Sequence, residues 1–346
     1  MNKGIFFIPI NDQNKKNDLL FDEIISKTIN AEKWGLNEAF FGEHITDRHE
    51  KISSSLSMIS ALSYLTKNIK LGTLTTNLNF FNPATIAAII SQVDNLTKGR
   101  LMLGVGSGAN KSDIEAVEML EKDNHKIMLE ILGILKKIFY ETDQFKIITN
   151  NFNVSTEKSL NKELGLGFFN KLYNERTNLE IMMPALNKNS YNVKLCAENQ
   201  WSIVISNFCS EEIIDNHIKN YLQHSQLKKE KALKKIKLSK LIFVSEEKKN
   251  LETRLLAECS PYLKVVEVIY KKLKTFNKHH CFGEGLSNPK EALKSICIYG
   301  NPDQIKDKIL EYESKYGSLS SIVFVDVPKI YKKEYDESLK LFAKYV

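Results

Sequence analysis

The sequence predicts an α/β fold, a (β/α)₈ TIM barrel, on three observations. Apolar strand-like runs alternate with amphipathic helix-like segments eight times along 346 residues. Pro and Gly stand at the boundaries of several of these segments, where they begin and end helices. No Pro/Gly/Ser-rich linker divides the chain, so we predict a single domain over residues 1–346. A doubly wound open sheet has the same alternation, and periodicity alone leaves that architecture open.

The stretch from 66 to 108 shows the repeating unit most clearly. An apolar strand over Ile69–Leu74 leads into a polar loop, and Pro83 then begins a helix. The apolar residues of this helix recur at 86, 89, 90, 93 and 96, and Gly99 ends it. Leu101–Val105 is entirely apolar, which is typical of a parallel strand buried on both faces. This is a strand–helix–strand unit, parallel and right-handed by default.

The same pattern predicts the remaining elements and two insertions. Strands are predicted at 4–10, 38–41, 179–183, 201–206, 236–244 and 321–325, and helices at 19–34, 55–65, 113–140, 190–197, 210–226 and 304–316. Residues 141–178 form an irregular, Asn-rich insertion after strand four and its helix. Residues 246–288 form a helical insertion after strand seven, a natural position for a lid over an active site.

Composition excludes several classes of protein. The net charge of +7 comes mainly from lysine runs with few aromatic residues between them, which favours solvated helix faces over a nucleic-acid surface. Five cysteines without C-x-x-C spacing indicate reduced thiols in the cytoplasm and no metal site. No apolar run reaches the roughly 20 residues that a membrane span needs. We therefore expect a cytoplasmic protein that contacts neither nucleic acid nor membrane.

Polar residues follow the predicted strands at the end where barrel active sites lie. His44 follows strand two beside Glu43, and a histidine there can act as a base near neutral pH, although a single histidine taken alone is more often a structural residue. Ser107, Gly108 and Ala109 follow strand four; this G-x-G is not a dinucleotide fingerprint. The loop Asn187, Lys188, Asn189 and Ser190 precedes a short helix whose free N–H groups favour an anion, or it is only a turn and helix cap.

Four motifs resemble the bacterial luciferase-like monooxygenase family. They are Phe41-Gly42-Glu43-His44, Leu71-Gly72-Thr73, Asp94-Asn95-Leu96-Thr97-Lys98-Gly99-Arg100 and Leu103-Gly104-Val105-Gly106-Ser107-Gly108, in the family's order and spacing. Gly300-Asn301-Pro302-Asp303 before an amphipathic helix is a weaker match. The likeness is good over 4–122, fair over 179–206 and 300–325, and poor between these segments.

The resemblance implies an FMN-dependent monooxygenase with a (β/α)₈ barrel. Reduced FMN from a separate flavin reductase would react with O₂ to a C4a-hydroperoxide, which oxidises a small aldehyde, ketone or alkene-type substrate. His44 would act as the base near the flavin, with Glu43 beside it. Leu74-Thr75 matches a non-prolyl cis peptide against the flavin ring. Ser107, Gly108, Ala109 and the loop Asn187, Lys188, Asn189 and Ser190 would hold the phosphate.

The chain departs from the family at three places, so two alternatives stay open. Ile45 replaces a second histidine, Ser107 replaces an arginine of the luciferase-type members, and 141–178 differs from the usual approach to strand five. Lys188 is the candidate that compensates for the missing arginine. The alternatives are a deazaflavin-dependent oxidoreductase and a flavin-binding protein without turnover. Small residues on helices 55–65 and 83–96 indicate a homodimer through these helices, as in the family, or packing against the barrel itself.

Overall fold

Eight parallel strands form the centre of the protein. The computed structural model describes residues 1–8, 10–141, 145–247, 249–275, 279–282, 286, 288–330 and 332–346. The barrel strands, in chain order, are β1 Asn2–Phe7, β2 Glu38–Phe41, β3 Lys70–Thr73, β4 Leu101–Gly106, β5 Glu180–Ala185, β6 Ser202–Ile205, β7 Ile236–Val244 and β8 Ser321–Val325. The predicted strand at 4–10 thus ends at Phe7, and its residue 9 lies outside the described residues.

The sheet closes on itself. Each strand pairs in parallel with its sequence neighbours, and β8 pairs with β1 through Asn2 and Ser321. Pairing of β6 with β7 through Ile203 and Ile236 completes the ring. Closure decides between the two architectures that the alternation allowed: the (β/α)₈ TIM barrel is confirmed and the open doubly wound sheet is wrong.

Helices cover the outside of the barrel. They are α1 Asn17–Lys33, α2 Ser55–Ser63, α3 Pro83–Leu96, α4 Lys111–Ala116, α5 Asn124–Tyr140, α6 Tyr191–Glu198, α7 Glu211–His224, α8 Lys229–Leu233, α9 Leu251–Leu255, α10 Pro261–Thr275, α11 Pro289–Ile296, α12 Pro302–Tyr316, α13 Lys333–Asp336 and α14 Ser338–Tyr345. Within the part of the chain that the structure describes, none of them is long and apolar enough to cross a membrane.

Local sequence explains where the helices begin and end. The side chain of Asn82 accepts hydrogen bonds from the backbone N–H groups of Ala84 and Thr85, and Pro83 takes the first helical position of α3. Gly99 has a φ of +77°, the left-handed conformation that ends this helix. Asn301 and Gln304 form a reciprocal capping box at the start of α12.

The two segments predicted as insertions contain structure that periodicity did not show. Within 141–178 the strands Lys146–Ile148 and Asn153–Ser155 form an antiparallel hairpin, and 142–144 lie outside the described residues. Arg176 anchors the insertion to α3 because its guanidinium pairs with the buried carboxylate of Asp94. The region 246–288 contains α9 and α10, while 248, 276–278, 283–285 and 287 lie outside the description. A further strand, Cys297–Gly300, extends the sheet beside β7 and was not predicted.

The N-terminal half of the barrel interior contains a buried ion pair. Nζ of Lys237 on β7 lies 2.8 Å from Oε1 of Glu38 on β2 and 3.2 Å from Oε1 of Glu180 on β5. Lys237 and Glu38 are only 1% and 2% exposed. This cluster joins three strands inside the barrel, at the opposite end from the loops that carry the candidate site.

Candidate functional site

A cavity of about 380 Å³ opens at the C-terminal end of the barrel. Its wall is formed by the loops that follow β2, β3, β4, β5 and β6, together with the inserted helix α10. One part of the wall is polar and carries His44. The other part is apolar and includes the side chains of Phe6, Ile8, Met128, Phe208, Ile269 and Leu273. Barrel enzymes place their active sites at this end, and most ligand cavities combine a few polar groups with apolar walls in this way.

The structure brings together most of the site residues predicted from the sequence. The cavity wall includes nine of them: Glu43, His44, Leu74, Thr75, Ser107, Gly108, Ala109, Asn187 and Ser190. Lys188 and Asn189 are exposed and do not line the cavity. Nζ of Lys188 lies 2.6 Å from Oε1 of Glu212 on α7. The prediction that Lys188 compensates for the missing arginine is therefore not supported by the position of its ammonium group.

His44 is held between two carboxylates. Its Nδ1 lies 2.7 Å from Oδ2 of Asp113, and its Nε2 lies 3.2 Å from Oε2 of Glu50. Burial by itself lowers the pKa of His44, but Glu50 and Asp113 outweigh burial and raise the pKa to about 10. In this arrangement the imidazole is a cation at neutral pH. It can donate a proton, and it becomes a base only after it has lost one, which corrects the expectation of a free base near neutral pH.

The carboxylate of Glu43 is bound to groups other than His44. Its carboxylate accepts hydrogen bonds from the backbone N–H and the hydroxyl of Ser55, at 2.9 and 2.7 Å, and from the backbone N–H of Asn77 at 3.1 Å. Ser55 is the first residue of α2, so Glu43 holds the start of this helix and the loop after β3 in place. The predicted catalytic role of Glu43 is not supported, because these bonds already occupy both of its oxygens.

A lysine of the inserted helix α10 completes the charged network. Nζ of Lys272 lies 2.7 Å from Oε1 of Glu50 and also donates to Oδ2 of Asp47. Burial lowers the pKa of Lys272, but the carboxylates of Glu50 and Asp47 outweigh it and raise the pKa. Burial raises the pKa of Glu50, and the charges of His44 and Lys272 more than reverse this. The network is therefore fully ionised at neutral pH.

Strand β3 breaks at a cis peptide bond. The bond between Leu74 and Thr75 is cis, as the family resemblance implied. The chain then resumes as a two-residue strand, Thr76–Asn77, which pairs with the end of β4. A Cβ on Gly106 would lie 2.3 Å from Oγ1 of Thr75. The glycine at 106 is thus required by the packing of its own neighbours.

The loops after β4 and β5 meet at one end of the cavity, which we call the anion end: Ser107, His125, Asn187 and Ser190. Nδ2 of Asn79 donates to the carbonyl of Ser107 and to Oδ1 of Asn124, which places His125 beside the β4 loop. The rings of His125 and Tyr191, the first residue of α6, have centroids 5.4 Å apart. Among the described residues, Nε2 of His125 and Oδ1 of Asn187 are buried without a hydrogen-bond partner.

Sequence reasoning missed Glu50, Asp113, His125 and Lys272. A signal existed for the first three, because each is a titratable residue in a segment that follows a barrel strand, where active-site residues gather. Lys272 carries no such signal, since it belongs to an inserted helix whose approach to the β2 loop depends on tertiary packing. Among the described residues, no group of three or more His, Cys, Asp or Glu side chains is placed to hold a metal ion.

The residues present fit a phosphorylated flavin. The anion end offers unpartnered buried polar atoms and the free N–H groups of an eight-residue helix, α6. Buried polar groups normally have partners, so these atoms are available to a ligand or to water. The apolar part of the wall suits an aromatic ring system. No acidic side chain belongs to the anion end as defined above.

Comparison with known proteins identifies the relatives. The family model described as luciferase-like monooxygenase matches residues 1–153. The chain is 26% identical over 369 aligned residues to 2,5-diketocamphane 1,2-monooxygenase 1 of Pseudomonas putida, an alignment that covers 100% of this chain and 98% of the relative. It is 28% identical to 4-hydroxyprotoasukamycin monooxygenase of Streptomyces nodosus subsp. asukaensis over 36% of this chain and 33% of the relative.

Solved structures share the fold over the whole chain. The oxygenating constituent of 3,6-diketocamphane monooxygenase from Pseudomonas putida, a type II Baeyer-Villiger monooxygenase in complex with FMN, superposes with a TM-score of 0.85 at 20% identity. That superposition covers 100% of this chain and 97% of the neighbour. The coenzyme F420-dependent tetrahydromethanopterin reductase of Methanopyrus kandleri superposes with a TM-score of 0.66 at 16% identity, over 100% and 98% of the two chains.

These findings agree with the four sequence motifs. The match over 1–153 includes all four, and the monooxygenase relatives belong to the enzyme class that the sequence predicts, oxidoreductases that incorporate oxygen. Residues 1–153 of this chain are thus similar to the luciferase-like monooxygenase family, as the four motifs indicated.

Proposed function

We propose that the protein is a flavin-dependent monooxygenase that uses reduced FMN and O₂ to oxidise a small organic substrate. The observation that carries this proposal is the His44 imidazolium, fixed between Asp113 and Glu50 in the wall of a cavity with an anion end and an apolar part. A solved neighbour with the same fold is in complex with FMN. The cofactor, when bound, supplies the activation of O₂.

The cavity favours a small, largely apolar carbonyl compound as substrate. Its volume of about 380 Å³ leaves little room beside a flavin ring system, which favours a compact substrate. Phe208, Ile269 and Leu273 form the apolar wall on the side of β6 and α10. A relative that is similar over the whole chain is named for a diketocamphane, a compact apolar ketone. An aldehyde or alkene-type compound of the same size fits the same description.

Cofactor binding is assigned to the loops after β3, β4 and β5. We propose that the backbone of Leu74 and Thr75 faces the flavin ring, and that the anion end holds the phosphate. Gly108 and Ala109 contribute backbone from the β4 loop, and Asn187 and Ser190 represent the β5 loop, in which Lys188 and Asn189 stand between them without lining the cavity. We propose that His125, and not Lys188, supplies the side chain that compensates for the missing arginine.

In this proposal His44 is the residue that donates a proton. Asp113 accepts a hydrogen bond from Nδ1, so it fixes both the ring orientation and the site of one proton. Nε2 then carries the proton that can be donated to an oxygen atom of the reactants on which negative charge develops. General acid catalysis of this kind contributes about 10²–10⁴-fold in rate. The apolar wall excludes water from the reacting centre.

Two partners follow from the proposal. Since the related neighbour is described as an oxygenating constituent, we propose that a separate flavin reductase supplies reduced FMN to this chain as well. We also propose a homodimer through 55–65 and 83–96. Tyr64 and Leu65, at the end of α2, are 80% and 50% exposed, and such side chains favour contact with a second copy.

A deazaflavin-dependent oxidoreductase is the second candidate. The superposition with a coenzyme F420-dependent reductase favours it, because the same barrel serves a deazaflavin there. A deazaflavin enzyme transfers hydride and needs no O₂, so the two candidates differ in their use of oxygen. A flavin-binding protein without turnover is the third candidate, and it differs from both in forming no product.

The test is oxygen incorporation. Photoreduced FMN is added to the purified protein with a camphor-like ketone, ¹⁸O₂ is admitted, and the organic products are analysed by mass spectrometry. We expect one ¹⁸O atom in the product and its loss in His44→Ala. Failure of the protein to bind FMN in either oxidation state would overturn the proposal. FMN binding without any labelled product from a panel of small ketones, aldehydes and alkenes would favour the third candidate, and turnover only with reduced deazaflavin the second.

A further inference from the structure

Helix α10 reaches the charged network from outside the regular barrel. It belongs to the insertion after β7, and it contributes Ile269, Lys272 and Leu273 to the cavity wall. Lys272 is the charged residue of these three, and it crosses to the loop after β2 to contact Glu50 and Asp47. This contact joins two segments that are more than 200 positions apart in sequence.

Glu50 is held at both oxygens. Oε1 accepts from Lys272 at 2.7 Å and Oε2 lies 3.2 Å from Nε2 of His44. The side chain of Glu50 is only 12% exposed, so its two charged partners replace most of its contact with water. The remaining charged groups around this pair are Asp113 on the far side of His44, Asp47 beside Lys272, and Glu43, whose carboxylate is bound to Ser55.

We infer that Lys272 and Glu50 are positioning residues for His44: helix α10, through Lys272, holds Glu50 against Nε2 of the imidazole and so fixes where its proton lies. The inference rests on the function proposed above, in which that proton is used. By this inference helix α10 contributes a charged positioning residue to the site in addition to apolar side chains.

Removal of Lys272 can change the pKa of His44 in two opposite directions, one through its charge and one through its effect on the position of Glu50. By Coulomb's law alone, removal of a nearby positive charge raises the pKa of a histidine. If Lys272 positions Glu50, its removal instead releases Oε1, and Glu50 turns towards water and away from His44. The imidazole then loses an opposite charge, and its pKa falls. The sign of the change therefore distinguishes a positioning role from a purely electrostatic one.

The experiment uses the full-length, ligand-free chain. Histidine side chains are labelled with ¹⁵N, the ring signals of His44 are assigned with His44→Gln, and the pKa is followed by NMR. We expect Glu50→Gln and Lys272→Gln each to lower the pKa of His44 by about one to three units, the usual effect of one opposite charge at this distance. Lys272→Arg restores the wild-type value. Lys271→Gln, on the exposed side of the same helix, makes the same change of net charge and leaves the pKa as it is.

An increase or no change in Lys272→Gln would overturn the inference, as would an unchanged pKa in Glu50→Gln. Circular dichroism of each variant establishes that the barrel is intact, and Lys272→Met provides a second variant if the glutamine variant fails to fold. Because the titration uses protein without flavin, its outcome is independent of the oxygen-incorporation test. The inference and the proposed function can therefore fail separately.

Discussion

Nδ1 of His44 lies 2.7 Å from Oδ2 of Asp113, which joins the loop after β2 to the helix that follows β4. Asp113 is 1% exposed, and its other oxygen accepts hydrogen bonds from the backbone N–H and the hydroxyl of Thr46. Burial raises the pKa of Asp113, but the bonds from His44 and Thr46 outweigh burial and lower the pKa. A buried, ionised carboxylate thus sets the orientation of the imidazole.

The first prediction concerns this pair. Asp113→Asn keeps the shape of the side chain but removes its charge, so His44 loses an opposite charge and a defined proton site. We expect oxygenation to fall about 10²-fold, the lower end of general acid–base effects. Ser112→Ala removes a neighbouring hydroxyl that bonds Thr46, and it serves as the control, with activity close to wild type. Equal losses in both variants would show that the loop, and not the carboxylate, matters.

Stability should depend on pH through His44. Its pKa is about 10 in the folded protein and about 6.5 in an unfolded chain. The folded state therefore binds the proton more tightly, and this stabilisation is fully present below pH 6.5 and is lost as the pH rises towards 10. We expect the difference in melting temperature between wild type and His44→Gln to shrink over this range. A difference that stays constant from pH 6 to 10 would contradict the raised pKa.

Replacement of His125 should affect FMN and riboflavin differently. Riboflavin lacks the phosphate, so His125→Ala should weaken FMN binding about tenfold and leave riboflavin binding unchanged, since a hydrogen bond to a charged group contributes about 1.5–3 kcal/mol. Fluorescence quenching gives both dissociation constants. Lys188→Gln is the control and changes neither constant, because the ammonium of Lys188 pairs with Glu212 outside the cavity. Equal weakening of both flavins by His125→Ala would indicate a structural role.

The ion pair inside the barrel gives a stability prediction. Lys237→Met leaves the carboxylate of Glu38 buried without its cation, which typically costs about 3–5 kcal/mol. The double variant Lys237→Met with Glu38→Gln should recover part of this loss, because no uncompensated charge from Glu38 remains. Chemical denaturation measures the free energy of unfolding of each variant. If the double variant is as unstable as the single one, the loss comes from packing and not from the unpaired charge.

Substitution by alanine should change the stability of the protein in opposite directions at two glycines. A Cβ at Gly106 would lie 2.3 Å from Oγ1 of Thr75 and 2.8 Å from Oδ1 of Asn77, so Gly106→Ala forces the β3 and β4 loops apart and destabilises by about 1–3 kcal/mol. Gly133 lies in α5, where an added Cβ would meet no described atom within 4 Å outside the backbone of its own helix, and Gly133→Ala should stabilise by about 0.5–1 kcal/mol. Thermal melts measure both, and a neutral Gly106→Ala would contradict the crowding at this turn.

The barrel was predictable because its signals are local. A strand buried on both faces is apolar throughout, as in Leu101–Val105, and a helix such as α3 carries its own start at Asn82 and stop at Gly99. Repetition of this unit left two architectures open. Closure could not be read from periodicity, since it depends on pairing between β8 and β1, which stand at opposite ends of the chain.

The site was predictable only in part, for a related reason. His44 and Ser107 follow strand ends directly, so a rule about strand ends finds them. The rule also selected Glu43, whose carboxylate turns to Ser55 because a helix start offers two donors there. Glu43 is next to His44 in sequence, but its carboxylate does not bond the imidazole.

The sequence by itself determined the order of strands and helices, the resemblance to a family and the position of one histidine at the mouth of the barrel. Only the tertiary structure decided the charge of that histidine, because its partners Glu50, Asp113 and Lys272 arrive from three different segments. A pKa depends on distances between charges and on burial, and both are set when the chain is folded. Local sequence patterns specify helices and strands, whereas the protonation state of His44 is specified by the charged side chains that the folded chain brings around it.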